Sequence, residues 1–302
     1  LATAGHEVHC FVLDDQNSCA HEPTLPIKVH KLSHDYENFH KSLNDVEVSI
    51  TSSNSKNVIW IGHDAITGGA ALISKNRFGG ISLLFHHMDY ANYSYLKGKK
   101  DNNKISTQKA LIKNADIVFA VGPRLFKNAK RLRESGKETY EFLPGTPHDL
   151  PISPSRAFDF RVAICGRLDD DNDAIKGISS AIKAAHALLS PANDNAGAIN
   201  LIGTKLNSIS IHTRLGLAKN VAINELPYIT DRRDYFKELV DNDIILMPSL
   251  KEGFGLVGWE AACLGIPVVV SRSSGLYEYL CNADLKHLVN SLAMTGVPPV
   301  DE

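Results

Sequence analysis

The chain has no apolar run of about 18 or more residues, so a membrane-spanning helix is not expected. It has little net charge: 32 basic against 34 acidic residues leave −2, which gives no reason to expect nucleic acid or an anionic membrane as the main partner. It has few cysteines. The five (Cys10, Cys19, Cys165, Cys263 and Cys281) are odd in number and lack metal-type spacing. Cys10, Cys165 and Cys263 lie in apolar runs and read as buried thiols. A disulfide framework is thereby excluded, and a reducing, cytoplasmic compartment fits. There is no H-E-x-x-H and no paired C-x-x-C, so neither a metal nor another cofactor is expected. The segment Asp169-Asp170-Asp171-Asn172-Asp173-Ala174 resembles a calcium loop only in part, because Ala174 and Ser180 replace the required Gly and Glu. The triplet Asn92-Tyr93-Ser94 is a sequon of a kind common by chance. No initiator methionine and no signal peptide open the chain. Residues 1–4 read as the end of a helix stopped by Gly5, ahead of a strand at 7–13, so one region of a longer chain is expected.

At 302 residues the length suits two domains. Strands are expected at 27–32, 58–61, 81–86, 117–121 and 139–143, with helices at 65–77, 104–114 and 124–135 between them. Residues 97–104 read as a polar loop. Four prolines within 144–156 then mark a linker. The alternation resumes with strands at 160–166, 198–202, 221–226, 243–247 and 266–270, and helices at 177–189, 231–240 and 256–264. Strand–helix alternation implies α/β architecture with parallel sheets covered by helices. Two Rossmann-like, doubly wound domains facing a cleft are therefore expected, with boundaries at 1–148 and 149–302. Ligands of such sheets bind beyond the carboxyl ends of the strands.

One stretch, Lys251 to Val270, allows two readings. Gly253, Gly255 and Gly258 spell G-x-G-x-x-G, the dinucleotide fingerprint, and Arg272 stands where it could meet a 2′-phosphate. That fingerprint needs its first glycine directly after a strand, and here residues 248–252 intervene. The same stretch holds Glu252 and Glu260, with seven residues between them. Glycine lets backbone amides approach a diphosphate closely, and a carboxylate at the start of a helix can accept from vicinal hydroxyls. Donors for phosphate beside acceptors for hydroxyls suit a nucleotide-sugar.

The stretch "SLKEGFGLVGWEAACLGIPVVVSRSSGLYEYL" resembles the E-x7-E region of retaining GT-B glycosyltransferases of the family 4 type. "VAICGRLDDDNDAIKGISSAIKAAHAL" resembles that family's GR…KG segment, and "LATAGHEVHCFV", "ADIVFAVGPRLFKNAKRL" and "FLPGTPHD" resemble its acceptor domain in order. The resemblance implies transfer of a sugar from a nucleotide-sugar, UDP- or GDP-linked, to an unidentified acceptor with retention of configuration. It implies no metal and leaves room for peripheral membrane contact. Arg167 and Lys176 would stabilise the leaving diphosphate, Glu252 would contact the transferred sugar, and Glu260 would bind the ribose. The amides of Gly253, Phe254, Gly255 and Leu256 would line the donor. A histidine near the donor sugar would be His86 or His87; successive strand residues face opposite ways, and His87 is favoured. His63 and Asp64 would lie at the acceptor edge.

The chain also departs from the family pattern. The first strand and its Gly-rich loop are absent, the last strand and return helices after Tyr279 are missing or replaced, and the hinge reads Pro144-Gly145-Thr146. Truncation at both ends is thus expected, and the alternative is a catalytically incomplete binding or regulatory module of a larger protein.

Overall fold

The computed structural model describes residues 2–13, 27–32, 58–96, 102–145, 160–168, 175–190, 197–204, 210–283 and 290–292. A 3-10 turn at Ala2–Ala4 precedes β1 (Val8–Leu13) and β2 (Ile27–Leu32), which pair in parallel as a two-stranded sheet. A second sheet holds four parallel strands in chain order: β3 (Ile59–His63), β4 (Ile81–His86), β5 (Ile117–Val121) and β6 (Thr139–Phe142). Between them run α1 (Asp64–Phe78), α2 (Tyr90–Leu96), α3 (Asn102–Asn114) and α4 (Gly122–Leu132). Arg133 ties these helices together. Its buried guanidinium donates to the carbonyls of Ile112, Ala115 and Asp116, at and just beyond the end of α3.

The third sheet holds β7 (Phe160–Leu168), β8 (Gly197–Thr204), β9 (Ala222–Leu226), β10 (Ile244–Met247), β11 (Val268–Ser271) and β12 (Asn290–Leu292). The helices of this half are α5 (Ile178–Leu188), α6 (Ile211–Leu215), α7 (Arg232–Val240), α8 (Leu256–Cys263) and α9 (Gly275–Asn282). All six strands are parallel, in the order β12-β11-β10-β7-β8-β9. This is the doubly wound order, in which the chain winds outward from β7 and then reverses at β10. β7 lies at the centre, and Val162, Ala163 and Ile164 are all essentially buried, as a strand covered on both faces requires. On α5, Ile178, Ala181, Ile182 and Ala185 recur at helical spacing and pack with Ile164 and Leu201.

The expected strands and helices appear with ends shifted by a few residues. Three helices were not expected: α2, α6 and α9. α2 carries no apolar periodicity; the Asp89 side chain, accepting from the amides of Ala91 and Asn92, starts it. In the stretch after Tyr279, where the family's last strand was expected to be missing or replaced, Asn290–Leu292 pairs with β11. Its three residues have no β-branched pattern, so the open edge of β11 supplies the signal that the sequence does not. The helix expected to end at residue 4 is a single 3-10 turn. Residues 146–156 of the expected linker, 97–101 of the polar loop and the acidic segment 169–174 lie outside the described residues.

The two larger sheets meet through their carboxyl edges. One apolar cluster includes Leu84, Val118 and Leu125 from one half, and Ala163, Ile245, Phe254 and Leu276 from the other. At its centre Phe254, 3% exposed, lies against Gly122. Gly122 starts α4 with φ +77°, and a Cβ there would come 2.2 Å from Phe254 Cδ2. Polar contacts surround this point: Arg124 donates to the Ser273 carbonyl, Lys127 pairs with Glu278, Lys251 reaches Asn92 at 3.1 Å, and Trp259 Nε1 donates to the Pro144 carbonyl at 3.1 Å. Gly122→Ala is expected to destabilise the protein by about 2–4 kcal/mol, because it adds left-handed backbone strain to overpacking. Thermal unfolding measures the loss, and small-angle scattering should show the two halves moving apart.

Candidate active site

Where strand order reverses, adjacent loops leave in opposite directions and open a crevice. Here it lies between the carboxyl ends of β7 and β10. β7 ends irregularly, with its register shifted between Cys165 and Leu168 and with Gly166 at φ +132°. Arg167 belongs to this last stretch of the strand; its side chain is outside the described residues. Lys176 follows in a short turn before α5, anchored by the buried Ile175. From β10 the chain passes Ser249 and Leu250 to Glu252. The Leu250 amide donates to the Ile175 carbonyl at 2.7 Å and draws the two loops together. Glu252 is pinned to the next strand loop: its amide donates to Ser273, and its carbonyl accepts from Gly275, both at 3.2 Å. Its carboxylate pairs with Lys176 and accepts from Ser249 Oγ at 3.3 Å.

Glu260 projects from α8 into the same region and is 7% exposed. Arg232, the first residue of α7, places Nη2 2.7 Å from Glu260 Oε1. The Asp231 side chain caps that helix by accepting from the amides of Arg233 and Asp234. Burial, helped by the charge of Glu260, pushes the Tyr235 phenol up; Tyr235 also hydrogen-bonds Glu260. Burial, and then the charge of Glu260, push up the Cys165 and Cys263 thiols, so both remain protonated. Sequence reasoning missed Arg232 and Tyr235, and no spacing rule links 232 or 235 to 260.

The glycines of the loop serve packing. A Cβ on Gly253 would stand 3.1 Å from Leu125 and 3.4 Å from the His87 carbonyl, so Gly253 lets the opposite half approach. Gly255, at φ +107°, lies under Met247, and Gly258 lies inside α8 against Leu276. With residues 248–252 between β10 and Gly253, the tight strand-to-helix turn of a dinucleotide fingerprint is absent. Gly255 is the N-cap of α8 and brings no side-chain acceptor, so the first amides of the helix keep their hydrogen-bonding capacity. Phe254 is buried with its carbonyl bonded to the Leu276 amide, while the Leu256 side chain is exposed.

Across the crevice stand the carboxyl ends of β3 and β4. Asp64, fully buried, is the one non-glycine residue at positive φ (+40°) among the described residues. Its Oδ1 accepts from His86 Nδ1 and from Gln108 Nε2, each at 2.8 Å; its Oδ2 accepts from the amides of His87 at 2.9 Å and Met88 at 3.0 Å. His86 is wholly buried, and its Nε2 has no hydrogen-bond partner among the described residues. The His87 side chain is 45% exposed, with Nδ1 3.5 Å from Asp64 Oδ2. It lies beside His63, whose ring stacks on Phe85. Burial, and then the charge of His87, push the His63 imidazole down. The structure thus gathers Lys176, Glu252, the 253–256 loop and Glu260 on one wall and His63 and His87 on the other, while Asp64, expected at the acceptor edge, is buried behind them. Among the described residues, no three His, Cys, Asp or Glu side chains gather as a metal ion would require.

Residues 1–301 match the family described as "Family 4 Glycosyltransferase in conflict systems", and the chain belongs to that family. It is 32% identical over 126 residues to D-inositol 3-phosphate glycosyltransferase of Pseudarthrobacter chlorophenolicus, a match covering 39% of this chain and 27% of that protein. The chain spans only about a quarter of the length of the curated relatives it matches. Among solved structures, sucrose-phosphate synthase from Thermosynechococcus elongatus superimposes with a TM-score of 0.72 at 18% identity, over 98% of this chain and 78% of the other. Anabaena HepE, solved in complex with UDP and glucose, gives a TM-score of 0.62 at 17% identity over 84% of this chain and 70% of the other. These likenesses establish the two-domain GT-B fold.

The Asp64 network has a signed pH dependence. Burial raises the carboxyl pKa, but the bond from His86, the charge of His86 and the His87 amide outweigh it and hold it below the ordinary range. A depressed folded pKa contributes stability that is complete above the unfolded value, about 4, and is lost as pH falls through the folded value. Asp64→Asn is expected to cost about 1–3 kcal/mol at neutral pH and to flatten the acid-side loss. Thermal unfolding of both proteins between pH 6 and pH 2 checks this: the gap between their Tm values should narrow below about pH 4.

Proposed function

We propose that this chain is the catalytic region of a glycosyltransferase that moves a hexosyl group from a UDP- or GDP-linked sugar to an acceptor hydroxyl, with retention of configuration. The observation that carries the reading is the pairing of Lys176 with Glu252 at the reversal crevice, with Glu260 on the helix that begins four residues beyond Glu252. The diphosphate would lie against the N-terminal amides of α8, with Arg167 and Lys176 compensating the charge that develops as it leaves. Glu252 would then turn to hydroxyls of the sugar, and Glu260 would take the ribose diol. His87, on the opposite wall, would face the transferred sugar, and His63 the acceptor. Most of the rate would come from holding both substrates together and neutralising the leaving group.

In this reading residues 1–148 form the acceptor side and 149–302 the donor side, no resident cofactor is assigned, and the work is cytoplasmic. HepE supports the choice of donor class, since that protein has this fold and was solved with UDP and glucose. No described helix is long and apolar enough to cross a membrane; peripheral contact remains compatible with the proposal.

Calorimetric titration with UDP and GDP tests the donor site. One of them should bind, and Glu260→Ala should weaken it by about tenfold to a hundredfold. Release of free nucleotide from UDP- or GDP-sugars then tests turnover, which Lys176→Met should reduce about a hundredfold or more. Binding without release would make the chain a donor-binding module. NADPH binding that is lost in Arg272→Ala would overturn the reading in favour of a dinucleotide site.

A further inference from the structure

Resting on the donor-site reading, we infer that Arg232 is a positioning residue for the nucleoside, holding the Glu260 carboxylate aimed at the ribose hydroxyls. Glu260 is nearly sealed from water, and a carboxylate in that position is costly to bury unless a cation or several donors compensate it. The groups around it come from three elements. Tyr235 on α7 is neutral, as are Cys165 on β7 and Cys263 on α8, because burial keeps their protons on. Arg232 is the cation in contact with Glu260 among the described residues.

The geometry suits a fixed support. Arg232 opens α7 under the Asp231 cap, which sets its backbone. Its guanidinium carbon lies 4.6 Å from the centre of the Phe236 ring, and Phe236 is itself buried. One nitrogen of the planar group then meets Glu260 Oε1 at 2.7 Å. That contact and the Tyr235 phenol each take one acceptor position of the carboxylate, and the two that remain can accept two vicinal hydroxyls. The exposures agree with this division: the Arg232 side chain is 65% exposed and the Glu260 side chain 9%. The arginine therefore keeps most of its hydration while it compensates a group that has lost its own.

The test compares ligands that differ only in the diol. UDP and 2′,3′-dideoxy-UDP, and GDP with its dideoxy counterpart, are titrated calorimetrically into the wild-type chain, Arg232→Met and Arg232→Lys. The wild type should prefer the hydroxylated nucleotide by about tenfold or more. Arg232→Met should lose about that factor for the hydroxylated form and less than about twofold for the dideoxy form. Arg232→Lys should recover part of the preference. The preference is a ratio within one variant, so a lowered Tm does not obscure it. Equal weakening of both forms by Arg232→Met, an unchanged preference, or a wild type that binds both forms equally would overturn the inference while leaving a nucleotide site in place. A wild type that binds neither nucleotide would overturn the donor-site reading, and this inference with it.

Discussion

The reversal of strand order between β7 and β10 is the constraint on which the rest of the site depends. A parallel sheet sends every strand-to-helix loop out at its carboxyl edge. Where the winding changes direction, two of those loops part and leave a crevice that no connection crosses. Lys176 follows one of these strands, and Glu252 and Glu260 follow the other. They are 76 and 84 residues apart in sequence from Lys176, yet they converge because β7 and β10 are hydrogen-bonded neighbours. The Leu250–Ile175 backbone bond completes the convergence.

The second half does not make this crevice alone. Phe254 leaves the loop after β10 and enters the apolar cluster shared with α4, where only glycine at 122 gives it room. Gly253 does the same for Leu125 and the His87 carbonyl. The loop that carries Glu252 is therefore shaped from both sides. A displacement of one half relative to the other must move it, so the relative placement of the halves and the geometry of the carboxylates are mechanically coupled.

Each carboxylate of the crevice carries a cation: Lys176 on Glu252, Arg232 on Glu260. The two pairs differ in kind. Lys176 is a flexible point charge that can exchange a carboxylate for a phosphate, whereas the arginine presents a planar group stacked on an aromatic ring. One pair is suited to partner exchange and the other to holding. Opposite them, Asp64 performs a different task. By accepting from two backbone amides and two side chains it fixes the turn after β4, and with it the direction of His87.

Much of this was legible in the sequence. The alternation of β-branched runs with helical periodicity determined α/β architecture, because parallel strands covered on both faces must be apolar throughout. The spacing of Glu252 and Glu260 beside glycines, after a strand, marked the loop that the structure places at the reversal crevice. Short elements were not legible: α2 rests on the Asp89 side chain and β12 on a neighbouring edge, and neither is long enough to show a period. Nor was the division between His86 and His87 decided by alternation alone, since that rule says only that the two differ. The tertiary structure decided it by burying His86 against Asp64. Packing likewise decided that the G-x-G-x-x-G glycines make room for Leu125, Met247 and Leu276, and that Arg232 stands over Glu260. Periodicity is carried by neighbours in the chain and can be read from it; these last relations join residues far apart, and only the folded backbone sets which of them meet.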